Sequence, residues 1–209
     1  MTHYVALGDS ISIDDYPQRE TGRAGLGAAS LFYRNDDELW PEFAGRDLAT
    51  LRPGTTFVNL TADGATTDDV LRVQLPSLSE RDIVTVTAGG NDILLGLIEG
   101  LIERVERIVQ RLESSLVFLG TVYDPSDGTN TLYGERLDRE AKWLAQFNDA
   151  IRNIAASRKH VRLIDIHRHF LGHGISVPQR QRWYWDELIF EPNARGASEV
   201  RRLWLDALP

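Results

Sequence analysis

Three short segments bring together the residue types that acyl transfer requires, and each directly follows an apolar run. In Gly8-Asp9-Ser10-Ile11-Ser12, a serine two residues past a glycine can be held on a tight turn with its hydroxyl facing outward. The segment from Asn59 to Thr67 carries Gly64, whose conformational freedom lets it aim its backbone N–H at a ligand. In Gly89-Gly90-Asn91-Asp92 the two glycines admit a close backbone approach, Asn91 offers an amide donor and Asp92 can cap a helix. Each segment alone is an ordinary turn or helix entry. In this order, each behind an apolar run, they supply a nucleophile and donors for a developing oxyanion.

The elements that must position these residues can be read from periodicity. Residues 4–7, 56–60, 83–87, 116–122 and 161–164 are short runs rich in Val, Ile, Thr, Phe and Leu, free of Pro, as expected of buried parallel strands. Between them lie helical patterns. Leu94, Leu97, Ile98, Leu101, Val105, Ile108, Val109 and Leu112 recur at spacings of three and four and predict one helix. Further helices are predicted over 137–154 and 194–208, with shorter ones over 39–51 and 68–75. Alternating strands and helices imply right-handed crossovers and a three-layer α/β/α fold around a parallel sheet of about five strands. No repeat or linker divides it, so residues 1–209 are expected to form a single domain. In such folds the ligand crevice lies outside the carboxyl ends of the strands, where the three segments fall.

The same three segments resemble the first three sequence blocks of the SGNH (GDSL-type) hydrolases. That resemblance implies a flavodoxin-like SGNH hydrolase fold, with Ser10 as nucleophile. It also implies an oxyanion hole made by the Ser10 N–H, the Gly64 N–H and the Asn91 side chain. The implied reaction is hydrolysis of a carboxylic ester (small acyl, lipid or O-acetyl carbohydrate) through an acyl-serine intermediate, with no cofactor. The fourth block departs from the pattern. Where the family has Asp-x-x-His-Pro before the last helix, this chain has Leu188-Ile189-Phe190-Glu191-Pro192-Asn193. Glu191 stands in the position of the His and Leu188 in that of the Asp, while Asp186 comes two residues too early.

A base must then come from elsewhere. His3 and His160 precede strands and fall at the wrong edge of the sheet, whereas His167, His169 and His173 follow the last strand on the functional edge. His173, between two glycines, is the favoured general base, oriented by Asp165, Asp186 or Glu191. A second reading has Glu191 itself take the serine proton, which requires desolvation because an ordinary Glu pKa of about 4.3 makes a weak base. The third is a catalytically degenerate binding protein on the same fold. The three histidines with Asp165 have the ligand types of a zinc site but an unspecific spacing, and no metal is expected.

Composition removes other classes. The chain has no cysteine, which excludes disulfides, thiolate metal sites and a cysteine nucleophile. With 23 basic against 31 acidic residues its net charge is −8, which opposes nucleic-acid binding. No apolar run approaches the roughly 18 residues of a membrane span, and no basic run followed by an apolar one opens the chain, so a cytoplasmic location is expected. A small-molecule ester is the expected partner. Phe32, Tyr33, Trp40, Tyr123, Trp183, Tyr184, Trp185 and Phe190 are candidate pocket walls, and Asp14, Asp15, Asp36 and Asp37 weigh against an anionic substrate.

Overall fold

Residues 2–78 and 80–209 are described by the computed structural model. Strands β1 (His3–Gly8), β2 (Thr56–Asn59), β3 (Ile83–Thr87) and β4 (Leu116–Gly120) match four of the predicted runs. Next come the hairpin strands β5 (Thr131–Leu132) and β6 (Glu135–Arg136), then β7 (Val161–Ile164), and last a second hairpin of β8 (Tyr184–Trp185) and β9 (Leu188–Pro192). The five-stranded sheet has the order β2-β1-β3-β4-β7 and every pairing in it is parallel. β1 and β3 lie inside the sheet and are almost wholly buried, and their side chains are mostly apolar, with the buried hydroxyls of Thr85 and Thr87 bonded to Tyr4 and Ser12. The edge strand β2 is largely exposed, and it ends at Asn59 rather than Leu60.

The helices are α1 (Asp15–Thr21), α2 (Ala28–Tyr33), α3 (Leu48–Leu51), α4 (Thr67–Asp69), α5 (Gly90–Leu94), α6 (Leu101–Arg111), α7 (Asp138–Ser157), α8 (Ile166–Phe170) and α9 (Ala194–Asp206). They cover both faces of the sheet. On one face Val105, Ile108 and Val109 of α6 and Phe147, Ile151 and Ile154 of α7 pack on Val84, Val86, Val117 and Leu119. On the other, Phe32 of α2 and Val200 and Trp204 of α9 pack on Tyr4, Ala6 and Phe118. Among the described residues no helix is long and apolar enough to cross a membrane.

Several predicted helices are interrupted, each by an identifiable residue. The pattern over 94–112 is two helices, because Gly96 and Gly100 adopt left-handed conformations (φ 71° and 67°) between α5 and α6. Over 39–51 there is only a 3₁₀ turn at Pro41–Phe43 and then α3, with Gly45 at φ 75° between them. Over 68–75 the chain passes from α4 into a wide π turn at Val70–Gln74. That turn presents the fully buried Gln74 to the end of β1. Its Oε1 accepts the Gly8 N–H at 2.7 Å and its Nε2 donates to the Gly8 carbonyl at 2.8 Å. Asn148 of α7 holds Val122, just past β4, in the same two-bonded way, with both contacts at 2.8 Å.

Gln74→Leu fills similar space but leaves the buried Gly8 N–H without an acceptor. The expected loss is about 1–3 kcal/mol, read as a lower urea midpoint with an unchanged slope. A midpoint equal to that of the wild type would show that the clamp is dispensable.

Candidate active site

β1 can end where it does only because residue 8 is glycine. Gly8 has φ 121°, and a Cβ there would lie 1.6 Å from the Thr87 carbonyl oxygen of β3. The close approach lets the Asp9 N–H donate to that same oxygen at 2.8 Å. The chain then turns into a 3₁₀ turn, Ser10–Ser12, capped by the Asp9 carboxylate, which accepts the Ile11 N–H at 3.2 Å. Ser12 is tied to Thr87 through their hydroxyls at 2.9 Å. Ser10 therefore sits on a turn fixed from several directions.

Gly89 is equally constrained. It has φ 110°, and a Cβ there would meet the Phe147 ring of α7 at 2.4 Å, so α7 packs directly on the glycine before α5. Asn91, in the first turn of α5, donates from Nδ2 to the Ala65 carbonyl at 3.0 Å, leaving its second amide hydrogen uncommitted. The loop that contains Gly64 is thus held on both sides, since Ala62 N–H also donates to the Gly8 carbonyl at 3.1 Å. Among the described residues the backbone N–H groups of Ser10 and Gly64 meet no protein acceptor. An unpaired N–H is a donor that an oxyanion could take, and Ser10 and Asn91 share a cleft whose lining residues do not include Gly64.

Ser10, Asn91 and Glu191 line one cleft, together with Asp9 and Gly90. The β8–β9 hairpin, in which Trp185 pairs with Leu188 and Tyr184 with Pro192, carries Glu191 there. The carboxyl of Glu191 is buried and its Oε2 has no hydrogen-bond partner. Burial pushes its pKa up from the ordinary 4.5 to about 7, against a lowering by the Ser10 hydroxyl that faces it and with a further rise from Asp63. Asp9, fully enclosed, is pushed up to about 8, chiefly by burial and in part by the neighbouring charge of Glu191. Sequence reasoning assigned no role to the Asp9 side chain, because an acid before a serine reads as a turn former.

His173 is placed differently from the expectation. Its ring stacks on Trp183 at 3.6 Å, its Nδ1 pairs with the Gln181 carbonyl at 3.1 Å, and it is not among the residues lining the cleft. The cause is local: Trp183 N–H donates to the His173 carbonyl at 3.0 Å, so the loop closes on itself rather than over Ser10. The acids considered as its partners are engaged elsewhere. Asp165 caps α8 and pairs with Arg152 at 3.1 Å, and Asp186 pairs with Arg182 at 3.0 Å. His169 pairs with Glu199 at 2.9 Å. Among the described residues no group of three or more His, Asp or Glu side chains is arranged to hold a metal ion.

Much of the remaining cleft wall is apolar: Ile93 and Leu94 from α5, Leu132 from the β5–β6 hairpin, Leu137 and Leu144 around the start of α7, and Phe190, with Asp124, Ser126, Asn130 and Glu140 as its polar members. Of the eight candidate aromatics only Tyr123 and Phe190 line it, joined by a 2.5 Å bond from the Tyr123 hydroxyl to the Phe190 carbonyl. Phe32, Trp183 and Tyr184 are core residues. The acidic residues of the cleft are Asp9, Asp124, Glu140 and Glu191, not Asp14, Asp15, Asp36 or Asp37, and no Lys, Arg or His lines it.

A family model for the GDSL-like lipase/acylhydrolase family matches residues 6–198. Among solved structures, a lipase from a goat rumen metagenome superposes with a TM-score of 0.71 at 16% identity, over 99% of this chain and 97% of that one. An extracellular lipase from Streptomyces rimosus gives 0.64 at 21% identity, over the whole of both chains. The acetylxylan esterase Axe2 from Geobacillus stearothermophilus gives 0.69 at 17%, over 99% and 93%. At these identities the likeness is one of fold. No curated protein matches the chain.

The displaced ionisation of Glu191 has a measurable consequence for stability. Its folded pKa of about 7 exceeds the ordinary value of 4.5, so its protonated form favours folding below pH 4.5 and that contribution is lost as pH rises through 7. Glu191→Gln removes the cost of ionising the buried group. The variant should match the wild type at pH 4 and exceed it at pH 8 by on the order of 3 kcal/mol. Equal stability of the two proteins at pH 8 would mean that the carboxyl is solvated.

Proposed function

Because the chain belongs to the GDSL-like lipase/acylhydrolase family, we propose that it hydrolyses a neutral carboxylic ester through an acyl-serine intermediate on Ser10, with Glu191 as general base. The observation that carries this reading is the desolvated Glu191 carboxyl facing the Ser10 hydroxyl in the cleft that Asn91 also lines. At about 7 its basicity matches that of an imidazole, so burial supplies what the missing histidine would otherwise provide.

The steps balance with these residues alone. Glu191 carboxylate takes the Ser10 proton as Oγ attacks the ester carbonyl. The tetrahedral oxyanion is held by the N–H groups of Ser10 and Gly64 and the free amide hydrogen of Asn91. Glu191, now protonated, gives its proton to the departing alkoxide, leaving acyl-Ser10. It then takes a proton from water as the water attacks the acyl carbonyl, and returns that proton to Ser10 Oγ as the acid departs, which restores the serine and the carboxylate. Unlike an imidazole, Glu191 is neutral once protonated, so no imidazolium is formed and no orienting acid is needed. Leu188 in the place of the family's Asp agrees with this.

The largely apolar wall and the lack of a cation favour an ester whose bound portion is aliphatic and uncharged; an O-acetylated carbohydrate would have to place its hydroxyls on Asp124, Ser126, Asn130 and Glu140. With nitrophenyl esters, kcat/KM should therefore rise from acetate to hexanoate. A preference for acetate, with turnover of acetylated sugars, would reverse that assignment.

A fluorophosphonate should label Ser10, and Ser10→Ala should lose both labelling and turnover. The wild-type kcat/KM should rise with pH through about 7, the Glu191 ionisation, and Glu191→Gln should lose on the order of 10²–10⁴-fold. Full activity in Glu191→Gln would remove Glu191 from the mechanism. Labelling that persists in Ser10→Ala, or a wild type inert to every ester, would leave a binding protein on the same fold.

A further inference from the structure

The two oxyanion donors outside the Ser10 turn come from loops that follow different strands, Gly64 after the edge strand β2 and Asn91 after the interior strand β3. Their separation must be kept within a fraction of an ångström for both to reach one oxygen. A charged network fixes it. Asp92, beside Asn91, is fully buried. Its Oδ2 accepts the Thr67 N–H at 2.9 Å and its Oδ1 accepts the Thr67 hydroxyl at 2.7 Å, so it grips the helix entry that follows Gly64. Arg104, from the first turn of α6, completes the assembly. Its Nη2 donates to Asp92 Oδ1 at 3.0 Å and its Nε to the Thr67 hydroxyl at 2.7 Å. Its other donors take the carbonyls of Glu99 at 2.7 Å and Leu97 at 2.9 Å, fixing the turn between α5 and α6.

We propose that Arg104, acting through Asp92 and Thr67, is a positioning residue that sets the distance between the Gly64 and Asn91 donors. It touches neither substrate nor the reacting atoms. It is the one cation bonded to both loops among the described residues, and its planar fork serves two partners at once, a geometry that lysine lacks. The Thr67 hydroxyl is the shared atom, donating to Asp92 and accepting from Arg104.

The inference rests on the reading of Gly64 and Asn91 as oxyanion donors, so its test has one arm that needs no turnover. Amide hydrogen exchange should be slow at Thr67 in the wild-type protein. It should accelerate by about tenfold or more in Arg104→Gln while the β3 amides stay protected. In the kinetic arm, Arg104→Gln should lower kcat by on the order of 10²-fold with KM within about twofold, the pattern of a transition-state contact displaced from a distance. Thr67→Val, which keeps Arg104 and Asp92 paired, should show the same split if Arg104→Gln does not fold. Thr67→Ser, with the hydroxyl retained, should recover most of the rate lost in Thr67→Val. Unchanged exchange at Thr67, or faster exchange with kcat intact, overturns the proposal. A wild type without esterase activity overturns the proposed reaction instead, and the exchange arm then decides alone whether Arg104 couples the loops.

Discussion

Keeping a carboxyl out of water beside a serine is the constraint around which this fold is arranged. A carboxylate loses solvation free energy when it is buried, and a protein ordinarily answers with a cation or several N–H donors. Asp92 receives that answer, with Arg104 and Thr67 around it. Glu191 does not: one of its oxygens has no partner and no cation lines its cleft. Asp9 lies close enough for each charge to oppose the other's ionisation. Asp92 and Glu191 are both buried, and their surroundings differ: Asp92 is bonded by Arg104 and Thr67, whereas burial without a cation raises the pKa of Glu191 to about 7.

Such an arrangement needs a rigid frame at the end of the sheet, where strand ladders run out and backbone groups lose their partners. Here polar side chains take over from the ladder. Gln74 bonds both the N–H and the carbonyl of Gly8, Asn148 does the same for Val122, and Asn193 caps α9 while donating to Arg182 and Tyr184 carbonyls. Each of these is a buried amide matched to two or more backbone groups, a combination that tolerates little displacement. The two glycines that end β1 and β3 contribute in the opposite way, by having nothing to displace.

Much of this was legible in the sequence because it depends on local chemistry. The five sheet strands are apolar runs, and Ser10 and Asn91 follow theirs at once, so topology alone put them on one edge. The interruption of the 94–112 pattern by Gly96 and Gly100 was also present in the letters, but apolar spacing continued across it and hid the break. Three features were harder to read. The small helices α1 and α2, of seven and six residues, are too short to show a helical period in the sequence. The β8–β9 hairpin, with its mixed polar and aromatic residues, carries no strand alternation, so the place of Glu191 beside Ser10 was readable only from its position in the family's fourth block. The basicity of Glu191 is a property of its surroundings, and a histidine in a flexible-looking loop was the more obvious base. His173 packs on Trp183 because an aromatic ten residues later in the chain offered it a face.

The cleft that lacks a cation also bears on the direction of turnover. Ester hydrolysis converts a neutral reactant into a carboxylic acid that ionises on reaching water. Toward that anion the cleft presents four acidic side chains, Asp9, Asp124, Glu140 and Glu191, and among the described residues no Lys, Arg or His. Low local polarity strengthens repulsion between like charges as much as attraction between unlike ones. On the proposed reaction the neutral ester is held on its apolar surface, while the ionised product faces Asp124 and Glu140 without a compensating cation among the described residues. Weak inhibition by accumulated acid is the expectation that follows for a cleft lined in this way.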